Sequence, residues 1–65
     1  MLALKIARIK KGWTQDELSV VSGVTRTTIS NIENKGIKNI PVKTLEKLSK
    51  ALGTTVSELF FSDEE

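Results

Sequence analysis

Sixty-five residues make one small domain, and a chain of this length buries only about 60% of the surface it exposes when unfolded. Cysteine, histidine and tyrosine are absent, which excludes disulfides and thiolate metal sites and removes the commonest metal ligand and general base, so enzymatic machinery is not expected. All ten Lys and Arg lie in residues 1–50, opposed there only by Asp16, Glu17, Glu33 and Glu46, so that stretch carries +6, while Glu58, Asp63, Glu64 and Glu65 leave residues 51–65 at −4.

The basic stretch suits a polyanion and the acidic tail does not. No run approaches the roughly 18 apolar residues of a membrane span. No basic-then-apolar leader opens the chain, so cytoplasmic, nucleoid-associated residence is expected. A small core without staples often gains stability by dimerising.

Residues 2–11 read as the first helix, with Leu4, Ala7 and Arg8 on one face and Lys5 and Lys11 outside. Leu2, Ile6 and Ile9 add more apolar surface than one core face needs; they are either half-exposed or a second contact surface. Gly12 ends the helix, and Trp13 packs over the junction with the next. Thr14-Gln15-Asp16-Glu17 fits a capping box opening a helix over 15–22, with Leu18, Val21 and Ser22 on one face. Gly23 closes that helix in a left-handed conformation, Val24 restores an apolar contact, and Thr25 caps the next helix. Over 26–33 the apolar residues are Ile29 and Ile32 only.

Asn34 to Ile40 reads as a loop in which Gly36 turns the chain and Lys35 and Lys38 add charge. Pro41 opens a fourth helix, 42–52, whose buried stripe is Leu45, Leu48 and Leu52 with Ala51 beside it. Gly53 stops it. Thr55-Val56-Ser57-Glu58 is a second capping box, starting a fifth helix over 56–61 with Val56, Leu59 and Phe60 on one face and Phe61 off it. Residues 62–65 form the acidic tail, and the expected class is an all-α, compact five-helix bundle.

The helix at 26–33 carries the chemistry. A merely solvated face is usually filled with Glu and Lys, whereas here Arg26, Thr27, Thr28, Ser30 and Asn31 offer short hydrogen-bonding groups and one guanidinium. Such groups reach base edges in a major groove: Arg to guanine, Asn to adenine, the Thr methyl to that of thymine. No carboxylate falls between Thr25 and Ile32 to repel phosphate.

Residues 14–34 resemble the helix-turn-helix of the phage repressor and Cro family, the xenobiotic-response-element type. The matching residues are Thr14-Gln15, Glu17-Leu18, Ser22-Gly23-Val24-Thr25, Thr28-Ile29-Ser30 and Ile32-Glu33-Asn34. The resemblance continues through Pro41, Leu45, Leu48, Ala51-Leu52-Gly53 and Leu59, and so covers the chain from about Leu4 to Phe60. It implies a lambda-repressor-like DNA-binding domain with helix 26–33 in the major groove of double-stranded DNA. Base edges would be met by Arg26, Thr27 and Asn31, assisted by Thr28 and Ser30. Phosphates would be met by Gln15, Thr25, Asn34, Lys35 and Lys38. It also implies a structural ion pair between Arg8 and Glu33. The chain departs from the family where Val42 stands in place of a Ser or Thr cap, and where the loop after the reading helix runs about two residues long.

The expected function is a sequence-specific transcriptional regulator, a repressor more readily than an activator. It would bind a near-palindromic operator as a homodimer through Leu59, Phe60 and Phe61. The alternative is a protein-interaction module such as the antitoxin of a toxin pair, or a restriction-modification controller protein. No metal, cofactor or small-molecule ligand is expected.

Overall fold

The computed structural model describes residues 1–61, and the acidic tail at 62–65 lies outside them. Among the described residues five helices follow one another: α1 (Leu2–Lys10), α2 (Gln15–Ser22), α3 (Arg26–Lys35), α4 (Val42–Ala51) and α5 (Val56–Phe60). The class is all-α. Among the described residues no helix is long and apolar enough to cross a membrane.

Local chemistry explains most of the boundaries. The Thr14 hydroxyl accepts from Glu17 N at 3.1 Å and Thr14 N donates to Glu17 Oε1 at 2.8 Å, so both halves of the box are made. Gly23 closes α2 at φ 77° and its N–H donates to Ser19 O at 2.9 Å. The following amide, Val24 N, donates to Ser22 Oγ at 3.1 Å, which tightens the turn between α2 and α3. Thr25 caps α3 by accepting from Thr28 N.

Some local expectations differ from the structure. α3 extends to Lys35, so Asn34 and Lys35 are helical rather than in a loop. The break falls instead at Gly36, at φ 91° and ψ −167°, a region essentially reserved for glycine. α4 starts at Val42 as expected, with Pro41 as its N-cap and no side-chain cap. At α5, Thr55 accepts from Glu58 N at 3.0 Å, but the Glu58 carboxylate accepts from Thr54 Oγ1 at 3.1 Å, so the reciprocal half of the box is not made. Val21 is exposed with Val20, and only Leu18 of α2 is buried outright.

The core gathers Leu4 of α1, Leu18 of α2, Val24 of the turn, Ile29 and Ile32 of α3, Leu45 and Leu48 of α4, Leu52, and Leu59 and Phe60 of α5. α2 packs on α3 and α4, α1 on α3 and α5, and α4 on α5. Met1, Ala7, Trp13, Ile37, Ile40, Ala51 and Val56 close its edges. The outer row of α1, Leu2, Ile6 and Ile9, stays exposed.

One polar atom sits badly in this core. Ser49 is 2% exposed, and among the described residues its hydroxyl has no hydrogen-bond partner. An unpaired buried hydroxyl costs about 1–3 kcal/mol of desolvation. Ser49→Ala is therefore expected to raise the denaturant midpoint, by about 1 kcal/mol or more in stability, with an unchanged denaturant slope. A loss of stability on this substitution would show that the hydroxyl has a partner such as a bound water.

Candidate nucleic-acid interface

α3 separates its two faces cleanly. Ile29 and Ile32 point inward and are fully buried, while Arg26, Thr27, Asn31, Asn34 and Lys35 are exposed. Its one carboxylate, Glu33, turns away from solvent. Arg8 Nε donates to Glu33 Oε2 at 2.8 Å and Arg8 Nη2 to Oε1 at 3.1 Å, a side-on bidentate pair, while Arg8 Nη1 donates to Trp13 O at 2.8 Å. The side chains of Arg8 and Glu33 are only 11% and 4% exposed. The pair ties α1, the junction before α2 and the last turn of α3 together.

Burial pushes the Glu33 carboxyl up, but the hydrogen bonds from Arg8 and Gln15 and the charges of Arg8 and Lys5 outweigh it, so it lies below the usual glutamate range. The hydrogen bond to Glu33, reinforced by its charge, raises the Arg8 guanidinium further against the opposing pull of desolvation. Both groups are therefore ionised at neutral pH, and the outward face of α3 carries no negative charge.

The Met1 amino group reaches the same end of the helix, donating to Ile32 O at 2.7 Å and to Glu33 O. A cation there meets carbonyls at the negative end of the helix dipole.

From Glu33 a chain of side-chain bonds runs back to the start of α3. Gln15 Nε2 donates to Glu33 Oε1 at 3.1 Å, and Gln15 Oε1 accepts from Arg26 Nε at 3.4 Å. Arg26 Nη1 also donates to both oxygens of Asp16, at 3.2 and 3.1 Å. Asp16 was not among the residues singled out from the sequence. The signal available was a carboxylate next to Gln15 in a motif that sets the start of α2 beside the start of α3.

Besides Arg26, two of the residues assigned to base edges are engaged within the protein. Thr25 Oγ1 donates to Thr28 Oγ1 at 2.9 Å, and Thr28 is half-buried beside the cap. Ser30 Oγ accepts from Asn34 Nδ2 at 3.3 Å. Of the residues assigned to base edges, Arg26, Thr27 and Asn31 are exposed. Thr25 and Lys35 are exposed at the two ends of α3, and Lys38 in the loop beyond, where Asn39 adopts a left-handed φ of 66°.

The residues assigned to a dimer contact separate. Leu59 and Phe60 are 8% and 5% exposed because α5 turns its apolar face onto α1 and α4, whereas Phe61 is 61% exposed. Two of the three are thus committed to the chain's own core.

A helix-turn-helix family model matches residues 4–59. The chain is 36% identical over 62 residues to a Neisseria meningitidis protein described as a hypothetical transcription factor, covering 95% of this chain and 58% of that protein. It is 38% identical over 58 residues to a competence pilus inhibition repressor of Acinetobacter baylyi, covering 89% of this chain and 52% of the repressor. It is 39% identical over 56 residues to the control protein C.MunI of a Mycoplasma species, covering 86% of this chain and 74% of that protein. The chain thus spans little more than half the length of the first two. No solved structure matches it significantly.

Proposed function

The chain belongs to the Cro/C1-type helix-turn-helix family, and on that footing we propose that it is a sequence-specific regulator of transcription, acting as a repressor, that reads double-stranded DNA by laying α3 in the major groove. One observation carries this reading: the outward face of α3 presents Arg26, Thr27 and Asn31 with its only carboxylate folded inward against Arg8. Those three meet base edges. Gln15, Thr25, Asn34, Lys35 and Lys38 lie along the flanks, where the sugar-phosphate backbone passes and contacts set register rather than sequence. The relatives described as a transcription factor and a repressor support the same reading.

The domain measures 28 × 24 × 19 Å, too small to reach two successive major-groove faces about 34 Å apart on one side of a duplex. A near-palindromic operator is therefore read by two copies. Phe61 is the exposed aromatic that remains at the end of α5 for the contact between them.

Selection of bound duplexes from a random pool at about 150 mM salt, near physiological ionic strength, tests this. A two-fold-related motif with half-sites one helical turn apart is the expected result. A single half-site removes the dimer and keeps the DNA role. No enrichment overturns the reading and moves the chain to an interaction module. On the selected duplex, Lys35→Ala is expected to weaken all sequences alike and to reduce the salt slope by about 1, the signature of one lost phosphate contact.

A further inference from the structure

We propose that Asp16 is a specificity-determining residue: by holding Arg26, it turns a cation that any phosphate would satisfy into a donor directed at a base edge. The inference rests on the reading of α3 as the base-reading helix. Its own basis is the geometry at the start of α2. The Arg26 guanidinium is held on two sides, Nη1 on the Asp16 carboxylate at 3.1 and 3.2 Å and Nε on Gln15 Oε1 at 3.4 Å. Gln15 is itself anchored through Nε2 to Glu33, and Glu33 to Arg8. The exposed arginine thus stands at the end of a chain of bonds that begins in the buried ion pair. Among the described residues Nη2 has no partner, so the outward edge is the part left to bond.

Two physical consequences follow from a pair whose side chains are 61% and 69% exposed. First, Asp16 offsets the charge of Arg26, and so lowers the sequence-independent attraction that a free guanidinium has for the phosphate backbone. A complex in which Arg26 left Asp16 for a phosphate would strand a carboxylate beside DNA. Second, Arg26 is pre-positioned, so less side-chain freedom is lost when it meets a base. Guanine, with O6 and N7 acceptors on one edge, fits a guanidinium fork. Both effects favour the right base over any base, and neither raises affinity for DNA in general.

The test is Asp16→Asn, with Arg26→Ala and the double variant, measured on the selected duplex, on duplexes changed one base pair at a time, and on unrelated DNA. Asp16 is exposed, and Asn keeps its shape, so the fold is retained. Asp16→Asn is expected to bind unrelated DNA more tightly with a steeper salt slope. It is also expected to lose about tenfold in discrimination at the one base pair that Arg26 reads, within the range set by a good bidentate contact. In the Arg26→Ala background the same substitution is expected to leave discrimination unchanged. A uniform shift in affinity with an unaltered base profile would overturn the proposal and reduce Asp16 to a repelling charge, as would an equal loss of discrimination with and without Arg26. If Arg26→Ala itself leaves the base profile unchanged, the proposal falls with the assignment of Arg26, which separates that failure from a failure of Asp16.

Discussion

Arg8→Ala is expected to destabilise the domain by about 3–5 kcal/mol, because it strands the Glu33 carboxylate in a site only 4% exposed. A protein of this length has a total stability of roughly 3–10 kcal/mol, at about 0.05–0.15 kcal/mol per residue. The loss is therefore comparable to the whole, and thermal unfolding followed by circular dichroism should show a variant largely unfolded near physiological temperature. Replacing both partners by apolar residues of similar volume is expected to recover most of the stability, since desolvating two charges offsets much of what their attraction contributes. A double apolar variant no better than Arg8→Ala would show that the pair's geometry, rather than the avoidance of a lone buried charge, holds α1 to α3.

The same pair sets an acid limit. The folded state holds the Glu33 carboxyl below its ordinary value, so the unfolded chain binds the proton more readily. The stability from this group is fully present above the unfolded value. It is lost as pH falls from the ordinary glutamate range toward the lower folded value. Denaturant midpoints should thus fall on acidification through that window, and Glu33→Gln should flatten this part of the profile.

Ile29→Ala is expected to cost about 2–5 kcal/mol, the usual range for a fully buried aliphatic side chain cut to Ala. Ile29 is 0% exposed on the inner face of α3, one helical turn from Arg26. At about 4–8 °C per kcal/mol for a domain of this size, the midpoint should fall by roughly 10 °C or more. DNA binding should then decline only as the folded fraction declines and recover on cooling toward the temperature of greatest stability. Thr27→Ala or Asn31→Ala, on the outer face, should do the reverse and change base preference with little change in midpoint. If Ile29→Ala lowered affinity at a temperature where the domain is still folded, the inner face of α3 would set the pose of the reading face and not its stability alone.

What the sequence by itself determined is local. The Thr14–Glu17 box, the Thr25 cap and the left-handed Gly23 each act over a few residues, so their geometry is written in neighbouring side chains. The Ile29 and Ile32 pair likewise told which side of α3 is buried, because only one face of that helix is apolar. Where a segment had more apolar residues than one face holds, periodicity could not choose. Val21 shares helical spacing with Leu18 yet stands exposed, and Leu59 and Phe60, expected at a dimer contact, are buried where α5 seats on α1 and α4.

Only the tertiary structure decided the polar contacts between helices. Arg8 and Glu33 are 25 residues apart and became a pair through resemblance rather than through any local signal. Asp16 and Arg26 are 10 residues apart on different helices, and whether they meet depends on how the turn at Gly23 angles α2 against α3. A side chain's partner is set by where two backbones cross, and that crossing is the product of the whole core. The residue types suited to reading DNA were therefore visible in the chain, while the bonds that hold Arg26 were not.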